Sequence, residues 1–392
     1  MRSSCDLLVV GAGLAGLMAG LTAVREGISV TIVEKGDRVG YPLNCGEGVA
    51  RVSVDGILDI EPGWIRTRIH HGLLVSPSGH TYKLDLPNAG YILNRPAMQQ
   101  GLADAFQAAG GTLMTGHRAT GLQSGQEGFQ GVVVESSDNP ELPISAAVVV
   151  AADGVESTIA RIAGIDNRLD PRTTESFLQY YVRKVSVVPD QIEVHVGSNV
   201  AVRSYLWIFP RGADEVGVGL GVAADSECSP KDLLNRFVAG RFPEGEVVGT
   251  SGGASPRYQG PDRLAEKNLL VVGDAARVLD SATGAGIANA LLSGQMAGRA
   301  AAAWCRRTDR SLDRLHAVYP GEFTRQKHDQ LQRYRRIKEF LDRLSDDDLD
   351  EIVLAVDRYF ETKTVDSASP VAVLLQIISE KPRLLGLARH LF

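Results

Sequence analysis

The feature that most constrains this chain is a glycine-spaced turn, Gly11-Ala12-Gly13-Leu14-Ala15-Gly16. It sits between an apolar run at 5–10 (CDLLVV) and a Leu-, Ala- and Met-rich stretch at 14–26. The run reads as a buried parallel strand and the stretch as a helix. The β-branched residues 28–34 (ISVTIVE) read as a second strand, so the spacing predicts a strand–turn–helix–strand unit. Gly11 allows the sharp exit from the strand, Gly13 lets a pyrophosphate approach the backbone, and Gly16 lets helix and strand pack closely. Glu34 lies 18 residues past Gly16, where a carboxylate accepts hydrogen bonds from ribose hydroxyls. The helix start adds unpaired N–H groups and partial positive charge for phosphate. A dinucleotide site and a purely structural turn both fit the glycines alone.

Further along, 97–109 reads as a helix stopped by Gly110-Gly111, with strands near 112–120 and 130–135. Residues 144–152 (ISAAVVVAA) read as a buried strand running into Asp153-Gly154. From 177 to 222 short segments alternate (FLQYYVRKV, QIEVHV, SYLWIFP, EVGVGLGV) and predict an antiparallel sheet. A buried strand returns at 268–273, followed by a small-residue helix from about 284 to 306.

Composition excludes several classes. Of 392 residues, 41 are Lys or Arg and 47 Asp or Glu, a net charge of −6, which argues against a general nucleic-acid binder. The apolar share of 44% is that of a folded chain. Cys5, Cys45, Cys228 and Cys305 form no CxxC pair, and the histidines have no metal-ligand spacing, so no metal is expected. Arg2 and the apolar run from Leu7 resemble a signal peptide only superficially, because Asp6 and the glycines interrupt it. No stretch has the ~20 apolar residues of a membrane span; the nearest, 286–304, is broken by Gln295 and Arg299. A cytoplasmic protein, free or at a membrane face, is expected. Between Arg299 and Lys338 stand 11 basic and 4 acidic residues, which fits either a solvated helix face or a contact with anionic headgroups.

Three further turns separate a flavin from a nicotinamide site. Val271-Val272-Gly273-Asp274 ends a buried strand in Gly-Asp, where Asp274 can grip a ribityl hydroxyl. Thr283-Gly284-Ala285-Gly286-Ile287 opens a helix that can face an electron-rich ring edge. Asp153-Gly154 can do similar work, and Arg95 lies between. The order of these turns points to FAD.

With these residues the sequence resembles the FAD-dependent oxidoreductases of the para-hydroxybenzoate hydroxylase-like group, and within it the geranylgeranyl reductase family, over about residues 5–300. The carrying stretches are GAGLAG at 11–16, Glu34, YPLNCGEGV at 41–49, LNRPAM at 93–98, ADGVES at 152–157, YLWIFPR at 205–211 and GDAARVLDSATGAGI at 273–287. The resemblance implies an α/β fold: a Rossmann-like FAD-binding domain (1–75, 90–165 and 260–305), an inserted antiparallel-sheet substrate domain (76–89 and 170–255), and a helical C-terminal region (306–392). It implies FAD contacts at Ala15, Glu34, Gly46, Gly48, Arg95, Ala119, Asp274, Gly286 and Ile287. It places Cys45 beside the flavin, and Tyr205, Trp207, Phe209 and Pro210 on the wall of a lipid cavity. Departures are Asp280-Ser281 for the usual Asn-Pro, Arg277 and Ala285 for Gly, and Arg211 for a frequent Lys. They bear on the shape of the loop over the flavin, where Arg277 would add charge to a usually neutral region.

The implied activity is saturation of C=C bonds in a polyprenyl chain on a lipid; the same fold also carries FAD-dependent monooxygenases. An unactivated alkene needs a cofactor to deliver hydride, an acid to deliver a proton, and water-free, electron-rich walls. Cys45, and with less weight Glu47, is the candidate acid. Alternation sets residues 205, 207 and 209 on one side of a strand; three core aromatics would look the same. The electron donor is external: ferredoxin, a deazaflavin or NADPH.

Overall fold

The computed structural model describes residues 3–126 and 128–361. Two eight-stranded sheets organise them. At the centre of the first is Ser3–Val10, flanked by Val30–Val33 and Thr112–Met114 on one side. On the other side stand Leu142–Ala151, Leu269–Val271 and Ala265–Glu266. Ser3–Val10 pairs in parallel with both neighbours. Leu7, Leu8 and Val9 are wholly buried, the burial that an uninterrupted apolar run requires. A hairpin, Arg118–Ser124 with Phe129–Glu135, joins this sheet through Leu142–Ala151. The strand expected over 112–120 is therefore two, divided at Gly116, whose φ of +67° turns the chain.

Helix Leu14–Arg25 lies against helix Ile287–Cys305, and glycine lets their backbones approach. An ideal Cβ on Gly294 would stand 2.2 Å from the Ala15 oxygen, and one on Gly298 2.4 Å from the Ala19 oxygen. Helix Arg95–Ala108 starts on an Asn94 cap and packs Met98, Leu102 and Phe106 into the same core.

The second sheet runs, in spatial order, Glu246–Pro256, Thr174–Arg183, Glu215–Ala223, Tyr205–Pro210, Gln191–Val196, Ile65–Val75, Thr81–Leu93 and Gly48–Ala50. It is antiparallel except where Gln191–Val196 runs parallel to Ile65–Val75. Sequence reasoning placed 65–75 with the nucleotide-binding part. The structure corrects this: the strand belongs to the second sheet, because its register with 81–93 and 191–196 is a long-range pairing that local pattern does not encode. One face is covered by helix Pro230–Arg241, over Val182, Leu206, Ile208, Val216, Val218 and Leu220. The opposite face looks toward the first sheet's loops.

Helices Leu312–Val318, Pro320–Leu341 and Asp346–Glu361 follow; the remainder of the expected helical region, 362–392, lies outside the described residues. Lys338 is 4% exposed and anchors these helices to the second sheet. Its ammonium donates to the Arg203 carbonyl at 2.6 Å and meets Glu175 at 2.6 Å and Asp342 at 2.5 Å. Asp350 accepts from the Ser78 amide at 3.0 Å and hydroxyl at 2.6 Å, pinning the last helix to the turn at 76–79. Among the described residues no helix is long and apolar enough to cross a membrane, and none group into a metal site.

Candidate cofactor cleft and aromatic wall

The fingerprint turn has the expected steric logic. Gly11 has φ +103°, and an ideal Cβ there would lie 2.4 Å from the Ala152 oxygen; one on Gly16 would lie 1.9 Å from the Gly11 oxygen. At Gly13 nothing stands within 4 Å, so the space above the helix start is open. Glu34 Oε2 accepts from the Ala12 amide at 2.7 Å and Oε1 from the Gly36 amide at 2.8 Å, so this carboxylate also staples the turn. Ala15 is buried beneath it, where Gly273 and Gly294 approach. Gly116 and His117 hydrogen-bond to Gly36 and Glu34, which carries the strand bearing Ala119 to the Glu34 end of the cleft.

At the other end Arg95, Cys45 and Asp274 converge. Arg95 Nη1 stands 3.1 Å from Cys45 Sγ, and Nη2 donates to Gln99 Oε1 at 3.1 Å. Gln99 in turn donates to the Ala12 carbonyl at 3.2 Å, linking this corner to the fingerprint. The Glu47 amide points at Cys45 Sγ at 3.2 Å. Burial pushes the Cys45 thiol above its ordinary value, the Arg95 charge pulls it back, and Asp274 adds to the rise. Asp274 opens onto the cleft, yet the surrounding protein raises its carboxyl against the pull of Arg95. An ideal Cβ on Gly286 would lie 3.4 Å from Asp274 Oδ1, and Gly286 begins helix Ile287–Cys305 with no side-chain cap. Gly284, with φ +69°, completes the loop between them.

The cleft fits FAD on its own geometry. Gly13 leaves a void, two helix starts present uncapped amides, and the buried Arg95 Nε has no hydrogen-bond partner. Asp153 borders the fingerprint turn through its backbone, its Cα 3.2 Å from an ideal Cβ on Gly11. Its carboxylate accepts from Ser157 Oγ at 2.5 Å and the Ile159 amide at 3.1 Å, capping helix Thr158–Ile162, while Gly154 turns the chain at φ +84°.

The departures resolve into packing. Asp280 Oδ1 accepts from the Ala282 and Thr283 amides at 2.8 and 3.2 Å, so an Asx turn shapes the loop without proline. Ser281 Oγ accepts from the Tyr258 amide at 3.0 Å. Arg277 is wholly buried in a left-handed conformation (φ +55°). It donates to Asn167 Oδ1 at 2.9 Å and the Asn167 carbonyl at 2.8 Å. Its charge is held by that segment instead of adding to the cleft.

Tyr205, Trp207 and Phe209 form a row, with ring centroids 5.8 and 6.2 Å apart. The row bridges both cofactor loops. Tyr205 OH donates to the Thr283 carbonyl at 2.5 Å, and Phe209 lies where a Cβ on Gly48 would be 3.0 Å away. Pro210, expected on this wall, is buried and pairs with Val216 on the helix-covered face, because side chains alternate along a strand. At the Phe209 end Glu47, 1% exposed with φ +67°, is ion-paired with Arg211 and lies 3.9 Å from Arg66. Arg211 also bonds Glu215 at 2.9 Å and lies 4.3 Å over the Tyr181 ring. The charges at this end are thus paired with one another. Sequence reasoning missed Gln99, Gln179, Tyr181 and this network. A readable signal was Gly217-x-Gly219-x-Gly221, glycine at period two in a strand, which marks a face where something lies close to the backbone.

Residues 173–254 match the family model described as geranylgeranyl reductase catalytic domain, and 6–62 and 62–212 match models described as FAD binding domain. The digeranylgeranylglycerophospholipid reductase of Methanocella arvoryzae is 33% identical over 395 residues, covering 98% of each chain. That of Methanothrix thermoacetophila is 33% identical and covers 99% of each. A crystal structure of a geranylgeranyl bacteriochlorophyll reductase-like protein from Thermoplasma acidophilum superposes with a TM-score of 0.91 at 28% identity, covering both chains fully.

Proposed function

The chain belongs to the digeranylgeranylglycerophospholipid reductase family, and from that premise we propose that it saturates C=C bonds of a geranylgeranyl-type chain on a lipid, with FAD as cofactor. The observation that carries the reading is the aromatic row, strung between the 46–48 loop and Thr283 across the cofactor cleft. The open backbone at Gly13, set by the turn at Gly11 and the close packing at Gly16, takes the pyrophosphate, Glu34 the ribose, and Asp274 with the Gly286–Ile287 helix start the flavin side. When bound and reduced, FAD supplies hydride to one alkene carbon. Tyr205, Trp207 and Phe209 exclude water and present π faces to the positive charge that develops on the other carbon. Cys45 holds a proton at Sγ, because burial keeps it a neutral thiol, and donates it there. Each buried CH2 of the prenyl tail adds about 0.8 kcal/mol, so a long chain binds whatever its headgroup.

Electrons come from an external donor, a ferredoxin, a deazaflavin or NADPH. The basic face of Pro320–Leu341 supports peripheral contact with anionic lipid. The test is anaerobic: holoenzyme reduced with dithionite is incubated with a geranylgeranyl lipid, and the lipid is weighed by mass spectrometry. The expected result is a mass gain in whole H2 steps. Turnover that requires O2 and NADPH would identify a monooxygenase instead.

A further inference from the structure

Gln179 is 1% exposed and stands where the aromatic wall meets the thiol loop. Strand register places it opposite Gly219 on one side, and Trp207 opposite the same Gly219 on the other. Side chains two strands apart meet here because the strand between them is glycine. An ideal Cβ on Gly219 would lie 2.2 Å from Trp207 Cζ2, and one on Gly217 3.2 Å from Gln179 Cδ. Over that saddle Trp207 Nε1 donates to Gln179 Oε1 at 2.7 Å. The other half of the amide, Nε2, donates to the Cys45 carbonyl at 3.3 Å. The indole only donates and the carbonyl only accepts, so the two partners dictate which way the amide faces.

We infer that Gln179 is a positioning residue that couples the aromatic wall to the Cys45 loop, setting the distance between the π surface that seats the alkene and the thiol that serves it. The inference rests on the reductase reading above. The Gln amide bonds both partners through one planar group, with an acceptor and a donor on adjacent corners and no net charge. An apolar replacement leaves the indole N–H and the Cys45 carbonyl unpaired in a buried place, and each relaxes toward other partners. Since a misplacement of about 1 Å costs up to about 100-fold in rate, a partial slackening costs less, and the loss falls on kcat rather than on binding of the long apolar tail.

The test uses holoenzyme with Gln179→Leu and, as a variant gentler on folding, Gln179→Asn, whose shorter stem cannot span both partners. Two readouts are taken: the rate at which iodoacetamide alkylates Cys45, followed on its peptide by mass spectrometry without substrate, and steady-state reduction of a geranylgeranyl lipid. Each folded, FAD-bound variant is expected to alkylate several-fold faster and to lose about tenfold in kcat with KM within about twofold. The pair with Trp207→Phe is expected to be non-additive, because both changes break one bond. Unchanged alkylation in the variants, or unchanged kcat, overturns the inference. Failure of the wild-type protein to reduce any prenyl lipid sinks the reductase reading instead, and the alkylation arm still reports whether Gln179 holds the loop.

Discussion

Gly294→Ala isolates the packing on which the cofactor cleft rests. Helix Ile287–Cys305 crosses helix Leu14–Arg25, whose start carries the fingerprint turn. The added Cβ would stand 2.2 Å from the Ala15 oxygen, where ordinary contact begins at 3.4 Å, so the helices must part by about 1.2 Å. The obstacle is backbone, so no rotamer change relieves it. Overpacking of this kind costs about 1–3 kcal/mol, and the backbone case belongs in the upper half. Against it stands the helix preference of Ala over Gly, about 1 kcal/mol. The net is a loss of about 1–2 kcal/mol, or roughly 1–2 °C in Tm for a chain of this length. Gly240→Ala is the control. It lies in helix Pro230–Arg241 with nothing within 4 Å of an ideal Cβ, so only the propensity gain remains and Tm holds or rises. Thermal unfolding of both variants, with and without added FAD, reads the comparison. Opposite signs, and weaker FAD retention in Gly294→Ala alone, are expected. A Gly294→Ala protein as stable as Gly240→Ala would refute the close-crossing argument.

Glu34→Ala removes the acceptor of the Ala12 and Gly36 amides, so apoprotein stability and FAD retention both fall; equilibrium dialysis of FAD with undiminished binding would make the carboxylate dispensable. Cys45→Ser keeps FAD and loses most of the lipid reduction, whereas unchanged turnover would remove the thiol from the chemistry. The raised Cys45 thiol is protonated throughout the neutral range, so its alkylation rate should still be climbing above pH 9, and a plateau reached by pH 7 would contradict burial as the dominant influence. Lys338→Met strands Glu175 without its cation, while Asp342 keeps Arg257, and should cost about 3 kcal/mol, read as a drop in urea midpoint; a loss under about 1 kcal/mol would show the cluster to be solvated.

The sequence by itself determined what is local. The strand–turn–helix unit at 5–34, the Gly-Asp turn at 273–274, and the 205–207–209 alternation follow from backbone sterics and side-chain period over a few residues. Each appears in the structure where spacing put it. The family resemblance, read from those motifs, carried the function further than spacing did. What only the tertiary structure decided is long-range pairing. The strand 65–75 joins the second sheet through its pairing with 191–196. Arg277 locks onto Asn167, 110 residues away, and Gln179 reaches Cys45 across 134. The physical reason is that a buried polar group takes whichever partner the packed chain brings within about 3 Å. That partner is chosen by sheet register and by the glycines that let strands and helices close up, neither of which is encoded within a short window.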